Sequence, residues 1–193
     1  QPINPYGMSK LMSEIMLRDL AVACPMRHVI LRYFNVAGCD PGGRIGQNTE
    51  KATLLTKVAV EAAVGKRQQV YIFGTDYPTP DGTGVRDYIH VDDLASAHLK
   101  ALDYLRADGE SITLNAGYGH GYSVREVLDM VGKVAGKPLT IIETERRAGA
   151  PAALIATAGK IRKILGWEPR LDNLEEIVRS ALAWERKLQA KRG

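Results

Sequence analysis

Apolar side chains return along this chain at two alternating spacings, and the alternation predicts the fold class. Leu11, Ile15, Met16 and Val22 recur at roughly helical spacing until Pro25, which predicts a helix over 5–23. "HVILRYF", residues 28–34, is a largely apolar, β-branched run, the pattern of a strand buried on both faces of a parallel sheet. A Gly-rich loop over 39–46 leads to a second predicted helix over 52–64, closed by Gly65, and "VYIFG", 70–74, reads as a short strand. "YPTPDGTG", 77–84, is dense in Pro, Gly and Asp and predicts a long surface connection.

Helical periodicity returns over 92–105, and "SITLNA", 111–116, reads as a strand. Ser123 with Glu126 three positions later is a capping box, which predicts a helix running to Ala135. "PLTIIET", 138–144, is another strand, and Leu174, Ile177, Val178, Ala181, Leu182 and Leu188 form the apolar stripe of an amphipathic last helix. Lys187 and Lys191 complement the dipole at its carboxyl end. Strands and helices alternate with crossovers long enough for parallel pairing, so the expected class is α/β. Fewer central strands are predicted than the ~6 of a complete doubly wound sheet, and half of such a sheet is expected to lie outside this chain.

Composition narrows the function classes. The 193 residues are 45% hydrophobic and 25% charged, the balance of an ordinary globular protein. No apolar run approaches the ~18–20 residues that cross a bilayer, so no membrane partner is expected. The chain begins at Gln1 with no leader pattern, and its natural start is expected to lie upstream. Cys24 and Cys39 are too few for a disulfide framework and lack metal or redox spacing, which suits a reducing cytoplasm. The net charge of +4 is spread over several elements rather than along one stripe, so a few arginines holding a small anion fit as well as nucleic acid would.

One pair carries chemistry. Tyr6 and Lys10, in "NPYGMSK", share a helical face, and an ammonium beside a phenol favours the phenolate, the form that accepts a proton from an alcohol. Pro5 sets the helix start, while Gly7 and Ser9 keep the neighbouring surface small enough for a flat ligand to approach. In isolation the same pair also reads as a packed ring beside a solvated lysine. "GYGHG", 117–121, lacks phosphate-loop spacing and reads as a tight strand-to-helix connection. His28, His90, His98 and His120 show no metal-ligand spacing; no metal is expected, and His90 reads as a core residue.

"NPYGMSK", "LRYFNVAG", "IFGTDYPTPDGTGVRDYIHVDDLASAH", "NAGYGHGYSVREV" and "RRAG" stand in the order that resembles UDP-glucose 4-epimerases of the extended short-chain dehydrogenase/reductase family. The resemblance covers essentially the whole chain and is most specific over 72–98. It implies the C-terminal part of an NAD-binding Rossmann-like fold with a smaller α/β substrate domain. Residues 1–36 and 91–118 would be Rossmann-side elements, and 37–90 and 119–193 would mainly bind the UDP-sugar. The glycine-rich NAD loop and a Ser or Thr of the catalytic triad would belong to an N-terminal half not contained here, leaving the chain inactive alone.

The resemblance also implies roles. Tyr6 would be the base at the sugar 4-OH, Lys10 would bind the nicotinamide ribose, and Tyr33 and Phe34 would line the nicotinamide side. Asn35 would bond the sugar-nucleotide diphosphate, Arg86 and Arg147 its phosphates, and Tyr71 and Phe73 would face the uracil, with Leu55 in the nucleotide-contacting segment. Without the resemblance, the two arginines read as surface cations and the rings as core or strand-face packing. The opening helix would join a homodimer interface. Departures are Ala150 where the family has an Asp on the uridine ribose, and Thr53-Leu54-Leu55-Thr56-Lys57 without the usual His and Pro. Leu154 falls at the position that gates N-acetylated sugars. A 4,6-dehydratase or decarboxylase of the same superfamily, or a noncatalytic nucleotide-sugar binding remnant, are the alternatives.

Overall fold

The structure, a computed structural model, describes residues 2–191. Asn4 caps the opening helix α1 (Pro5–Ala23), its side chain accepting from Gly7 N at 2.8 Å, and proline occupies the first turn where no amide donor is needed. β1 (Val29–Tyr33) and β2 (Asn35–Ala37) follow, interrupted at Phe34. β1 is the strand expected over 28–34, one residue shorter at each end, but it is not buried on both faces: only Ile30 is buried. β1 has one described neighbour, the parallel β6 (Ile112–Ala116), which leaves its other edge uncovered.

α2 (Leu55–Ala63) begins three residues later than the periodicity predicts. No side chain caps it, and the Ala52 carbonyl accepts from the Arg67 guanidinium at 3.0 Å, so 52–54 stays outside the helix. β3 (Val70–Phe73) pairs in parallel with β8 (Ile141–Thr144), and alternates buried Val70 and Ile72 with exposed Tyr71 and Phe73. The connection after β3 turns at Gly82, where φ is +78° and a Cβ would stand 2.0 Å from the Thr75 carbonyl oxygen; only glycine fits there.

Two short strands, β4 (Val85–Arg86) and β5 (Tyr88–His90), lead into α3 (Val91–Arg106). β5 pairs in parallel with β2, and β4 sits between the antiparallel β7 (Tyr122–Ser123) and the parallel β9 (Ala153–Leu154). His90 is fully buried and caps α3, its Nδ1 accepting from Asp92 N at 3.1 Å. α4 (Val124–Ala135) starts on the expected capping box, with both reciprocal bonds formed between Ser123 and Glu126. α5 (Gly159–Leu165), which the sequence did not announce, precedes α6 (Leu174–Ala190).

One core joins these layers: Ile72, Ile89, Leu114, Leu128, Ile161, Trp167, Ile177 and Leu182 are all essentially inaccessible to water. Acidic side chains serve it as hubs for backbone donors. Asp93 accepts from Tyr118 Oη at 2.7 Å and from Arg170 N and Leu171 N at 2.9 and 2.8 Å, tying α3 to the segment before α6. Asp87, fully buried, accepts from Tyr118 N and Gly119 N at 3.0 Å each and from Ala156 N at 3.3 Å. "GYGHG" is thus a tight connection held by a carboxylate, with Gly119 at φ +90°.

α1 departs from this economy. Apart from Glu14, which accepts two hydrogen bonds of 2.6 Å from Arg32, none of its side chains is buried. The Arg32 guanidinium holds the Glu14 carboxyl below the usual range, outweighing the opposing effect of burial. Met12, Ile15, Met16, Leu20 and Val22 are exposed.

Candidate functional site

A cavity of about 420 Å³ opens where β3, β4 and the start of α2 meet the segment before β9. It is lined by Asn35, Leu55, Tyr71, Phe73, Arg86 and Arg147, which brings six of the sequence-nominated residues together. A volume of this size suits a small organic ligand.

Each side chain reaches the cavity for a local reason. Tyr71 and Phe73 occupy the outward positions of β3, and their rings lie 6.2 Å apart. Arg86, on β4, is pinned by a 2.7 Å bond from Nη1 to its neighbour's carbonyl, and its strand position is fixed on both sides by β7 and β9. Asn35 begins β2 with its amide bonded to the Asp87 carbonyl at 3.0 Å. Leu55 starts α2. Arg147, in the turn after β8, lays its guanidinium over Phe73 at 3.8 Å from the ring centroid. Arg146 makes a second such contact with Tyr77, at 4.3 Å, and donates from Nε to Asp76 at 2.5 Å.

The remaining nominated residues lie apart from this cavity. Tyr6 and Lys10 are exposed on one face of α1, the ammonium 5.3 Å from the ring centroid. Tyr33 is 53% exposed at the carboxyl end of β1, its ring 6.2 Å from that of His98, whereas Phe34 is half-buried against the core. Ala150 lines the cavity; Leu154 does not, standing instead beside Arg86 on β9. Among the described residues no cluster of three or more His, Cys, Asp or Glu could hold a metal, and no helix is long and apolar enough to cross a membrane.

Arg67 went unnominated although it lines the same cavity. Its Nε donates to Glu61 at 2.6 Å and its Nη2 to the Ala52 carbonyl at 3.0 Å. Behind it runs a chain of charges: Glu61 lies 3.4 Å from Lys57, and Lys57 and Lys66 both donate to Glu185, which is 1% exposed. Burial disfavours the charged form of Glu185, but the two lysines outweigh it and hold its carboxyl below the usual range. On the far side of this network lies a second cavity, of about 380 Å³, walled by Cys39, Leu54 and Trp184. Burial pushes the Cys39 thiol up, away from the reactive thiolate.

Parallel strand pairs with a cavity gathering guanidiniums, an amide and two exposed rings define an α/β protein suited to an anionic ligand carrying a flat ring. The chain belongs to the family described as GDP-mannose 4,6 dehydratase, which it matches over residues 1–181. Within that family it is 57% identical over 192 residues to the UDP-glucose 4-epimerase of Azospirillum brasilense, covering 100% of this chain and 55% of that protein. It is 51% identical to the UDP-glucose 4-epimerase of Rhizobium meliloti, covering 95% of this chain and 56% of that one. The crystal structure of UDP-glucose 4-epimerase from Bifidobacterium longum in complex with NAD+ and UDP superposes with a TM-score of 0.90 at 44% identity, over 96% of this chain and 56% of that one. The chain thus spans about half the length of the curated relatives it matches.

Proposed function

We propose that this chain is the substrate-binding portion of a UDP-glucose 4-epimerase and supplies its catalytic tyrosine. The observation that carries the reading is the convergence of Arg86, Arg147 and Asn35 with Tyr71 and Phe73 in one cavity, cations and amide for a diphosphate and rings for a base. The relatives, at up to 57% identity, support it. Residues 37–90 and 119–193 form mainly the UDP-sugar side; 1–36 and 91–118 belong to the Rossmann side, which a second portion of the protein completes.

The residues present fit NAD. Tyr6 and Lys10 are accessible on one helical face, and the exposed Tyr33 ring stands at the carboxyl end of a parallel strand, where ligands of such sheets gather. Tyr6, Lys10, Tyr33 and Phe34 would hold the nicotinamide end, and when bound NAD accepts the C4 hydride of the sugar and later returns it. The Tyr6 Oη takes the proton of the sugar 4-OH as the 4-keto sugar forms, with the Lys10 ammonium favouring the phenolate. Arg86, Arg147 and Asn35 keep the diphosphate fixed while the keto sugar turns over. Tyr6 then returns the proton to the C4 oxygen, and because the turned keto sugar would take hydride back at C4 on its opposite face, C4 is inverted without net redox change.

The exposed apolar side chains of α1, among them Met12, Ile15 and Met16, are the surface we assign to a homodimer, and the free Cys24 and Cys39 suit the reducing cytoplasm to which we assign the protein. Equilibrium binding of UDP and NAD to the purified chain tests the substrate half of the reading. UDP binding that is lost in Arg86→Ala and Arg147→Ala supports it; no UDP binding overturns it. The family takes its name from a 4,6-dehydratase, and that activity would show as release of a 4-keto-6-deoxy sugar nucleotide.

A further inference from the structure

We infer that the cavity walled by Cys39, Leu54 and Trp184 is a second ligand site, for a small neutral aromatic molecule whose one polar group bonds the Thr56 hydroxyl. The two cavities have a single lining residue in common, Leu54, and the inference does not depend on what the first one holds.

Three elements build the walls and hold them apart. α2 contributes Thr56 and Val60, four positions apart on one helical face, and α6 contributes Ala181, Trp184 and Glu185 at the matching spacing. The loop after β2 closes the third side and is tied to α6 along its length. Cys39 N donates to Ser180 Oγ at 3.1 Å, Trp184 Nε1 to the Gln47 carbonyl at 3.1 Å, and Lys187 Nζ to the Gly43 carbonyl at 2.5 Å. Gly46 lies against the Trp184 ring, where a Cβ would stand 2.6 Å from it. The ring is thereby fixed as a wall and does not fall into the space, so the cavity of about 380 Å³ is preformed.

The lining sets the ligand. Thr56 is only 5% exposed and lines the cavity, yet its hydroxyl makes no hydrogen bond among the described residues. A helical threonine can bond the carbonyl four positions back. Here that carbonyl belongs to Ala52, which lies outside the helix and accepts from Arg67 instead. A buried hydroxyl without a partner is costly, and one polar group on a ligand removes that cost, because the hydroxyl both donates and accepts. The charged residues of the lining are already paired: Asp40 with Arg44 at 2.8 Å, and Lys57 with Glu185 and Glu61. No charge is left for an ionic ligand, whose burial here would go uncompensated. The remaining surface, with Val60, Ala181, the protonated Cys39 thiol and the Trp184 ring, suits a flat apolar body. An apolar cavity of roughly 150 Å³ holds benzene, so this one has room for two fused rings.

Indole and indene, one fused-ring outline with and without an N–H, test this. Calorimetric titration of the purified chain is expected to show saturable binding of both, with Kd about 1 mM or lower. Nuclear Overhauser contacts should run from the ligand protons to the Trp184 ring and Thr56. Thr56→Val keeps the side-chain shape and removes the hydroxyl; it should weaken indole about three- to tenfold, the effect of one neutral hydrogen bond, and leave indene unweakened. Ala181→Phe fills the cavity and should abolish both, while thermal melting reports the folded state of each variant. If Ala181→Phe does not fold, the two affinities in Thr56→Val and the Overhauser contacts decide. Absence of saturable binding to the wild type, an equal effect of Thr56→Val on the two probes, or contacts to the Tyr71 and Phe73 rings in place of Trp184 overturns the site. Each of these outcomes leaves the reading of the first cavity untouched.

Discussion

The guanidinium of Arg147 lies 3.8 Å from the centroid of the Phe73 ring, so a cation and an aromatic ring meet on one wall of the cavity. A planar cation on an aromatic face contributes roughly 0.5–2 kcal/mol, and a stacked base would share the same ring. Phe73→Ala is expected to weaken UDP binding about tenfold with little loss of stability, because Phe73 is an exposed position of β3. Arg147→Lys should fail to restore wild-type affinity, since a lysine neither stacks nor forks. Titration calorimetry of the two variants checks both statements.

Ala150 lines the cavity, at a position where the family resemblance implies an acid. Ala150→Asp places an acceptor there for ribose hydroxyls, and a hydrogen bond to a charged group contributes ~1.5–3 kcal/mol. UDP affinity should rise about tenfold, and 2′,3′-dideoxy-UDP should gain nothing. Comparing the two ligands on the variant separates a hydroxyl contact from a general effect on the turn.

Asp87 is the hidden support of the site, accepting from Tyr118 N, Gly119 N and Ala156 N one position after Arg86. Asp87→Ala leaves those buried donors without their acceptor, at about 1–3 kcal/mol each. Urea unfolding should show a loss of about 3 kcal/mol or more. Where the variant still folds, UDP affinity should fall as well, because β9 no longer registers against β4.

Acid should weaken the fold in two stages of the same sign. Burial holds the His90 imidazole below its usual range, although Asp92 and Asp93 pull the other way. The unfolded chain therefore binds a proton before the folded one does. Stability is full above about pH 6.5 and is lost as pH falls toward the folded value. Glu185, held low by Lys57 and Lys66, adds a loss beginning below about pH 4.5. His90→Gln should flatten the first stage and leave the second, as read from urea midpoints between about pH 7.5 and 2.5.

What the sequence could disclose depended on how local each determinant is. α1 was legible to the residue because Asn4 and Pro5 start it and Pro25 follows its end, and α4 because the capping box lies within four consecutive positions. β4, β7 and β9 are two residues each, too short to carry a period, and their pairing comes from contacts as distant as Arg86 with Leu154. The late start of α2 follows from Arg67 taking the Ala52 carbonyl across 15 positions. Arg67 itself sits in "GKRQQ", which reads as a charged turn; only Glu61 six positions earlier hints at a partner. Tyr6 with Lys10 was readable from helical spacing, and the cavity residues came from the family resemblance rather than from any pattern in the chain.

Tyr6→Phe is the most direct test, made in the chain joined to the NAD-binding half of a relative such as the Bifidobacterium longum enzyme. Conversion of UDP-galactose to UDP-glucose should proceed with Tyr6 and fall by roughly 10²–10⁴ in Tyr6→Phe, the range of general acid–base catalysis, while UDP affinity stays unchanged. Conversion that persists at the wild-type rate in Tyr6→Phe would contradict the assignment of Tyr6 as the proton acceptor.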